Sequence, residues 1–222
     1  GDRSEYKRMF RTKHNIPEDA KVIMYAPTFR EGSRNGKRLV FSEIWSIDFK
    51  RLLDDLKRRF GGEWYVCIRV HPQLAGIVKE YKNEEIQKYI IDESQADDMY
   101  EILAAMDAYI TDYSSAAMDA SLTHMPVFLY ADDIEQYTKD RGSLLWNLSE
   151  DTSKPVTNNK RMTPNLDLEL PFSISKNNDE LEKNILNFDG KKYLDMMKKY
   201  EDGVELVFNG NASEKVARKI VS

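Results

Sequence analysis

The chain has 222 residues, 41% of them hydrophobic and 32% charged, enough apolar material for one sizeable core and a single domain. Its formal net charge is -5 with acidic and basic residues interspersed, so no extended basic face can neutralise a nucleic-acid backbone, and nucleic acid is not expected as a partner. The one cysteine, Cys67, rules out an internal disulfide framework, and no apolar stretch is long enough to span a bilayer.

Residues 1–5 lack a secretion-signal pattern, so the expectation is a cytoplasmic chain. Residues 5–13 look like a helix entering from a preceding segment, which together with an initial Gly suggests a piece of a longer protein. After turn signals around Pro17, the apolar run 21–26 predicts a first central strand ending at Pro27. The loop 28–38 that follows carries three arginines, one lysine and two glycines, with Arg30 nearest the strand. Such a loop suits closure on an anionic ligand, although a basic loop can also be merely solvated.

Apolar spacing over 47–60 predicts a surface helix stopped by Gly61 and Gly62. Residues 64–70 form a second strand running into His71-Pro72. A histidine at the C-terminal lip of a central strand can donate to a phosphate oxygen or exchange a proton near neutral pH; His-Pro can also simply terminate a strand. A short helix over 77–81, a third strand over 89–92 with Asp92 at its exit, and a helix over 97–106 lead to the apolar run ending in Thr111-Asp112. Ser114 and Ser115 then stand where a helix to about residue 122 begins, so hydroxyls and unpaired amides meet there, as an anion site or as a plain cap.

Residues 126–130 predict a fifth strand. The acids Asp132 and Asp133 at its exit read as a helix cap rather than metal ligands, and no metal or cofactor is expected. The turn-rich segment 144–170 is expected to wrap the outside of the sheet, and 177–186, 191–200 and 212–221 to form three closing helices. Alternation of strand and helix implies an α/β fold: a Rossmann-like parallel sheet with right-handed crossovers, flanked by helices. That topology brings Thr28, Arg30, His71, Asp92, Asp112, Ser114 and Ser115 to one edge of the sheet.

The set Tyr25-Ala-Pro-Thr-Phe-Arg30, Arg69-Val-His-Pro72, Ile110-Thr-Asp-Tyr-Ser-Ser115, Pro126-Val-Phe-Leu-Tyr130 followed by Asp133, and Tyr137 with Asp140-Arg-Gly142 resembles the CDP-glycerol glycerophosphotransferase family. Leu170-Pro-Phe172 and residues 177–181 extend the likeness along nearly the whole chain, and only Phe29 departs, where many members carry Trp. The resemblance implies a GT-B architecture, of which this chain is the C-terminal, nucleotide-binding half and the N-terminal acceptor half lies elsewhere in the protein. It implies transfer of glycerol or ribitol phosphate from CDP-glycerol or CDP-ribitol to a polyol-phosphate or lipid-linked acceptor. His71 is then the functional histidine; Ser114 and Ser115 hold the donor's diphosphate, and Thr28 and Arg30 face it. By position alone, Asp92 is expected near the base. The parent protein is expected at the cytoplasmic membrane face, its periphery rather than its interior.

Three other readings stay open at this point. They are a nucleotide-sugar-binding half of another GT-B glycosyltransferase or epimerase, a non-catalytic docking module, and a hydrolase built on His71 and Asp112, which lacks a recognisable nucleophile.

Overall fold

The structure is a computed structural model in which residues 2–221 are described, apart from 32, 35, 80, 82, 143, 145, 149–155, 159–167, 205 and 207–209. Pro155 and Pro164, two of the expected turn markers, lie outside the described residues. Six parallel strands make the central sheet: β1 (Lys21–Tyr25), β2 (Trp64–Ile68), β3 (Ile90–Asp92), β4 (Ala108–Thr111), β5 (Val127–Tyr130) and β6 (Ser173–Ser175). Their spatial order is β6-β5-β4-β1-β2-β3, so the chain winds outward from β1 in one direction and from β4 in the other. This is the doubly wound order of dinucleotide-binding sheets.

Alternation along each strand explains the three layers. Val22 and Met24 of β1 face one apolar cluster, whereas Ile23 and Tyr25 face another. The first cluster is closed by helices α1 (Ser4–His14), α3 (Met99–Ala105), α4 (Ala116–Ser121) and α7 (Gly190–Gly203), through Phe10, Leu103, Ala117, Tyr193 and Met197. The second is closed by α2 (Phe49–Phe60) and α6 (Asn178–Leu186), with Leu52, Leu56, Leu181 and Ile185 packed beside Phe41 and Trp45. Two further helices are α5 (Ile134–Arg141), after β5, and α8 (Ala212–Val221), which buries none of its residues.

Helix boundaries follow local chemistry. Asp48, Asp98, Asn177 and Asp189 each accept from amides of the first turn of α2, α3, α6 and α7. Gly61, at φ 68°, ends α2 in a backbone region that a side chain would strain. The helix expected over 77–81 is displaced to Ala75–Val78, because His71-Pro72 opens a 3₁₀ turn at Pro72–Leu74 that leads directly into it.

Two expectations need correction. The segment 144–170 is not simply a wrapping loop: Trp146–Asn147, Val156–Asn158 and Glu169–Leu170 pair as a three-stranded antiparallel sheet. Nor was β6 visible in the sequence; Ser173-Ile-Ser175 sets one apolar residue between two serines, so no apolar run marks it as the Ile90-Ile91 pair marks β3.

The N-terminal helix is bound firmly to this domain. The Asp107 carboxylate, just before β4, accepts from Lys7 Nζ (2.5 Å), Arg11 Nη2 (2.8 Å) and the Val22 amide of β1 (2.9 Å). Arg11, itself buried, also donates to the Ala20 carbonyl. One side chain thereby joins α1 to the starts of two adjacent strands.

Candidate functional site

The sheet order reverses between β1 and β4, and such reversals open a crevice beyond the C-terminal ends of the strands. Across that gap the Asp112 carboxylate, 3% exposed, holds the β1 exit. It accepts from the Thr28 amide at 2.9 and 3.0 Å, from the Thr28 hydroxyl at 2.5 Å and from the Tyr113 amide at 2.6 Å. Its remaining capacity goes to Arg30 Nη2, at 2.9 Å. Asp112 is therefore saturated by the protein itself.

Arg30 crosses from the β1 exit to the β5 exit. Its Nε and Nη2 donate to the two Asp133 oxygens at 2.8 and 2.9 Å, and Nη1 donates to the Thr28 carbonyl at 3.0 Å. The Tyr113 hydroxyl donates to Asp133 at 2.5 Å, Tyr113 stacks on Tyr137 at 4.1 Å, and the guanidinium lies 5.3 and 5.1 Å from those two rings. Burial works against the Arg30 charge, but hydrogen bonding to Asp133 and the charges of Asp112 and Asp133 outweigh it and raise its pKa above the ordinary value. Burial alone would likewise raise Asp133, yet the bonds from Arg30 and Tyr113 pull its carboxyl below the usual aspartate value. Burial, then the Asp133 hydrogen bond, raises Tyr113.

This geometry corrects the helix-cap reading of Asp133. It occupies the N-cap position of α5, but its side chain makes no cap bond, because a bidentate guanidinium outcompetes a single amide. Asp132 turns instead to Ser46, whose hydroxyl donates at 2.5 Å and also lies 2.8 Å from the Tyr130 hydroxyl. Burial raises the Asp132 carboxyl, and burial pushes Tyr130 up to about 12. Among the described residues no cluster of three His, Cys, Asp or Glu side chains could hold a metal ion.

His71 is exposed at the β2 exit, its ring packed edge-on against Phe29 at 5.0 Å, and its Nδ1 accepts from the Gln73 amide at 3.4 Å. Since Phe29 adjoins Thr28, the β2, β1 and β4 exits converge through successive contacts. Strands β2 and β4 flank β1, so two strand spacings, about 10 Å, separate the tips bearing His71 and Ser114.

Ser114 and Ser115 part company at the start of α4. The Ser114 hydroxyl accepts from the Ala116 amide at 3.3 Å, whereas Ser115 is exposed at the N-cap position with no side-chain cap bond. Asp92 lies on the edge strand and spends one oxygen on the Ser94 amide at 3.0 Å. Ser94 in turn accepts from the Val70 amide at 3.1 Å, tying the β3 exit to the β2 exit.

Sequence reading missed Ser46, Tyr113 and Tyr137 as parts of this site. Tyr113 and Tyr137 fell within the motifs that carry the family likeness without being given a role, and nothing local marked Ser46, whose partners Tyr130 and Asp132 are 84 and 86 positions away.

A profile of the family described as CDP-Glycerol:Poly(glycerophosphate) glycerophosphotransferase matches residues 2–222. The chain belongs to that family. Among glycerophosphotransferase relatives, it is 34% identical over 154 residues to a teichoic acid poly(glycerol phosphate) polymerase of Staphylococcus epidermidis, covering 68% of this chain and 20% of that protein. It is 32% identical over 132 residues to a teichoic acid glycerol-phosphate primase of Bacillus spizizenii, covering 60% of this chain and 31% of the relative. A poly(ribitol-phosphate) polymerase of the same organism is 30% identical over 138 residues, covering 61% and 20%. The solved wall teichoic acid polymerase TagF superposes with a TM-score of 0.64 at 29% identity, over 97% of this chain and 47% of TagF. A TagF variant soaked with CDPG gives 0.62 over 97% and 45%. This chain thus spans less than half the length of these relatives.

Proposed function

We propose that this chain is the donor-binding domain, the C-terminal half of a GT-B enzyme, that handles CDP-glycerol or CDP-ribitol. The enzyme transfers polyol phosphate to a hydroxyl of a teichoic-acid-like or capsular polymer. The observation that carries this reading is the convergence of Thr28, His71 and the Ser114-Ser115 turn at the β1/β4 reversal, in a member of this family.

In the reaction, the acceptor oxygen attacks the phosphorus bearing the polyol. The bond from that phosphorus to the bridging oxygen breaks, CMP departs with the bridging oxygen, and the acceptor's proton passes to a base in the other half of the protein. Phosphoryl transfer asks chiefly for positioning and for donors around the phosphates. His71 donates to a phosphate oxygen as charge builds on the leaving group, and the free Ser115 hydroxyl with the α4 turn cradles the diphosphate. Thr28, Asp112 and Arg30 hold the floor on which those groups stand, and Asp92 lies toward the base. Among the described residues no helix is long and apolar enough to cross a membrane. A lipid-linked acceptor would draw the parent protein to the periphery of the cytoplasmic membrane face.

Calorimetric titration of the chain with CDP-glycerol, CDP-ribitol, CMP and a UDP-sugar tests the assignment. Binding of a CDP-polyol in preference to the UDP-sugar is expected. Preference for the UDP-sugar, or no nucleotide binding at all, would overturn it.

A further inference from the structure

The two arginines at this edge of the sheet are in opposite circumstances. All three nitrogens of the Arg30 guanidinium donate to protein acceptors, two of them to the Asp112 and Asp133 carboxylates. Moving Arg30 onto a ligand would strip both acids of their partner. Arg69 stands at the β2 exit, two residues before His71, with its backbone amide donating to the Tyr25 carbonyl at 2.9 Å. Among the described residues its side chain makes one hydrogen bond, from Nη2 to the Ala96 carbonyl at 3.2 Å. Its Nε is buried with no acceptor, and Arg69 forms no ion pair among the described residues.

The described carboxylates on the adjoining elements have protein partners of their own. Glu93 accepts from Lys13 and His14, both at 2.5 Å; Asp92 accepts from the Ser94 amide; Asp112 is saturated; Asp119 accepts from the Tyr100 hydroxyl at 3.4 Å. Arg69 also stands at the same C-terminal strand edge as His71 and Thr28. Ala96 packs against the same apolar cluster as Tyr113, Ala116 and Tyr109, and the buried Tyr109 hydroxyl also has no hydrogen-bond partner. A half-buried guanidinium without a counter-charge is costly, and a phosphate at its accessible end supplies that counter-charge.

We infer that Arg69 is the arginine that meets the donor's phosphates and that Arg30 is a brace for the strand exits. The assignment rests on the donor-site reading above and adds to it a division of labour between two residues of the same type. Arg69 and His71 stand two residues apart at the β2 exit, so a guanidinium and an imidazole come from one strand end, with Arg69 tied to the segment preceding α3 through the Ala96 carbonyl.

The test is titration of the chain and its Arg69→Gln variant with CDP-glycerol and, separately, with cytidine, which lacks phosphate. Arg69→Gln should weaken CDP-glycerol by about 10- to 100-fold and leave cytidine unchanged, with the melting temperature preserved. Equal CDP-glycerol affinity in the two proteins overturns the Arg69 assignment alone. Failure of the unsubstituted chain to bind CDP-glycerol overturns the donor-site reading and this inference with it. If Arg69→Gln does not fold, Arg69→Lys serves in the same titration. It keeps the charge but not the planar fork, so a several-fold loss for CDP-glycerol alone is expected, and unchanged affinity for both ligands overturns the assignment.

Discussion

The Thr28 amide lies 2.9 and 3.0 Å from the two Asp112 oxygens, and the Thr28 hydroxyl lies 2.5 Å from one of them. A residue just past β1 is thereby fixed to a residue just past β4, across the line where the winding of the sheet reverses. Replacing Asp112 by Asn turns one of those acceptors into a donor and leaves Arg30 with a single carboxylate. Asp112→Asn should destabilise the chain by about 3 kcal/mol in urea unfolding, the scale expected when one partner of a buried charge pair is removed. A loss below 0.5 kcal/mol, about the size of a neutral surface change, would contradict the bracing role.

His71 is exposed and its ring contacts only Phe29 among aromatic neighbours of the described residues. His71→Ala is expected to shift the melting temperature by no more than about 2 °C. In the parent enzyme, turnover of CDP-polyol should fall by about 100-fold or more, as when a donor to a developing charge is lost. Activity within a few-fold of the unsubstituted enzyme would remove His71 from the chemistry.

Ser115 offers a separation of stability from binding. Its hydroxyl makes no cap bond, so Ser115→Ala should leave unfolding free energy within about 0.5 kcal/mol. Affinity for CDP-glycerol should drop by roughly 5- to 10-fold, one hydrogen bond to a charged oxygen. Ser114→Ala differs, since the Ser114 hydroxyl accepts from the Ala116 amide, and should cost about 1 kcal/mol of stability as well.

Acid titration reports on the Arg30–Asp133 pair. Hydrogen bonds from Arg30 and Tyr113 hold the folded-state pKa of Asp133 below the usual aspartate value despite its burial, so the ionised form is favoured by folding. Its contribution is complete above that value and is lost as the pH falls through the lower, folded-state value. The stability gap between the chain and Asp133→Asn should therefore be constant from neutral pH to about pH 5 and narrow only below about pH 4. A gap that widens on acidification would reverse the sign and rule out the pair as drawn.

Much of the sheet was legible because its strands are short apolar runs ended by Pro27, His71-Pro72 and the Asp112 turn. Each stop has a local cause, and parallel winding then dictates that all the exits share an edge. The partition of that edge was not legible. Whether Arg30 faces a ligand or two carboxylates depends on residues 82 and 103 positions away in sequence, and no local pattern encodes such pairings. Asp133 misled for the same reason, since an acid at a helix start has a good local explanation that the tertiary partner displaced. The small antiparallel sheet over 146–170 escaped because its strands of two or three residues hold one apolar residue each and form no apolar run.

The carboxylate of Asp107 has a practical bearing on how this domain can be cut and moved. It gathers two cationic side chains of the first helix and a main-chain amide of the innermost strand onto a single pair of oxygens. A shortened version beginning after His14 would discard both cations together with the Phe10 packing, and would uncover the underside of the very strands whose opposite tips form the crevice. Expression boundaries drawn for this fold should accordingly fall ahead of Ser4, with the leading helix treated as part of the scaffold and not as a tether.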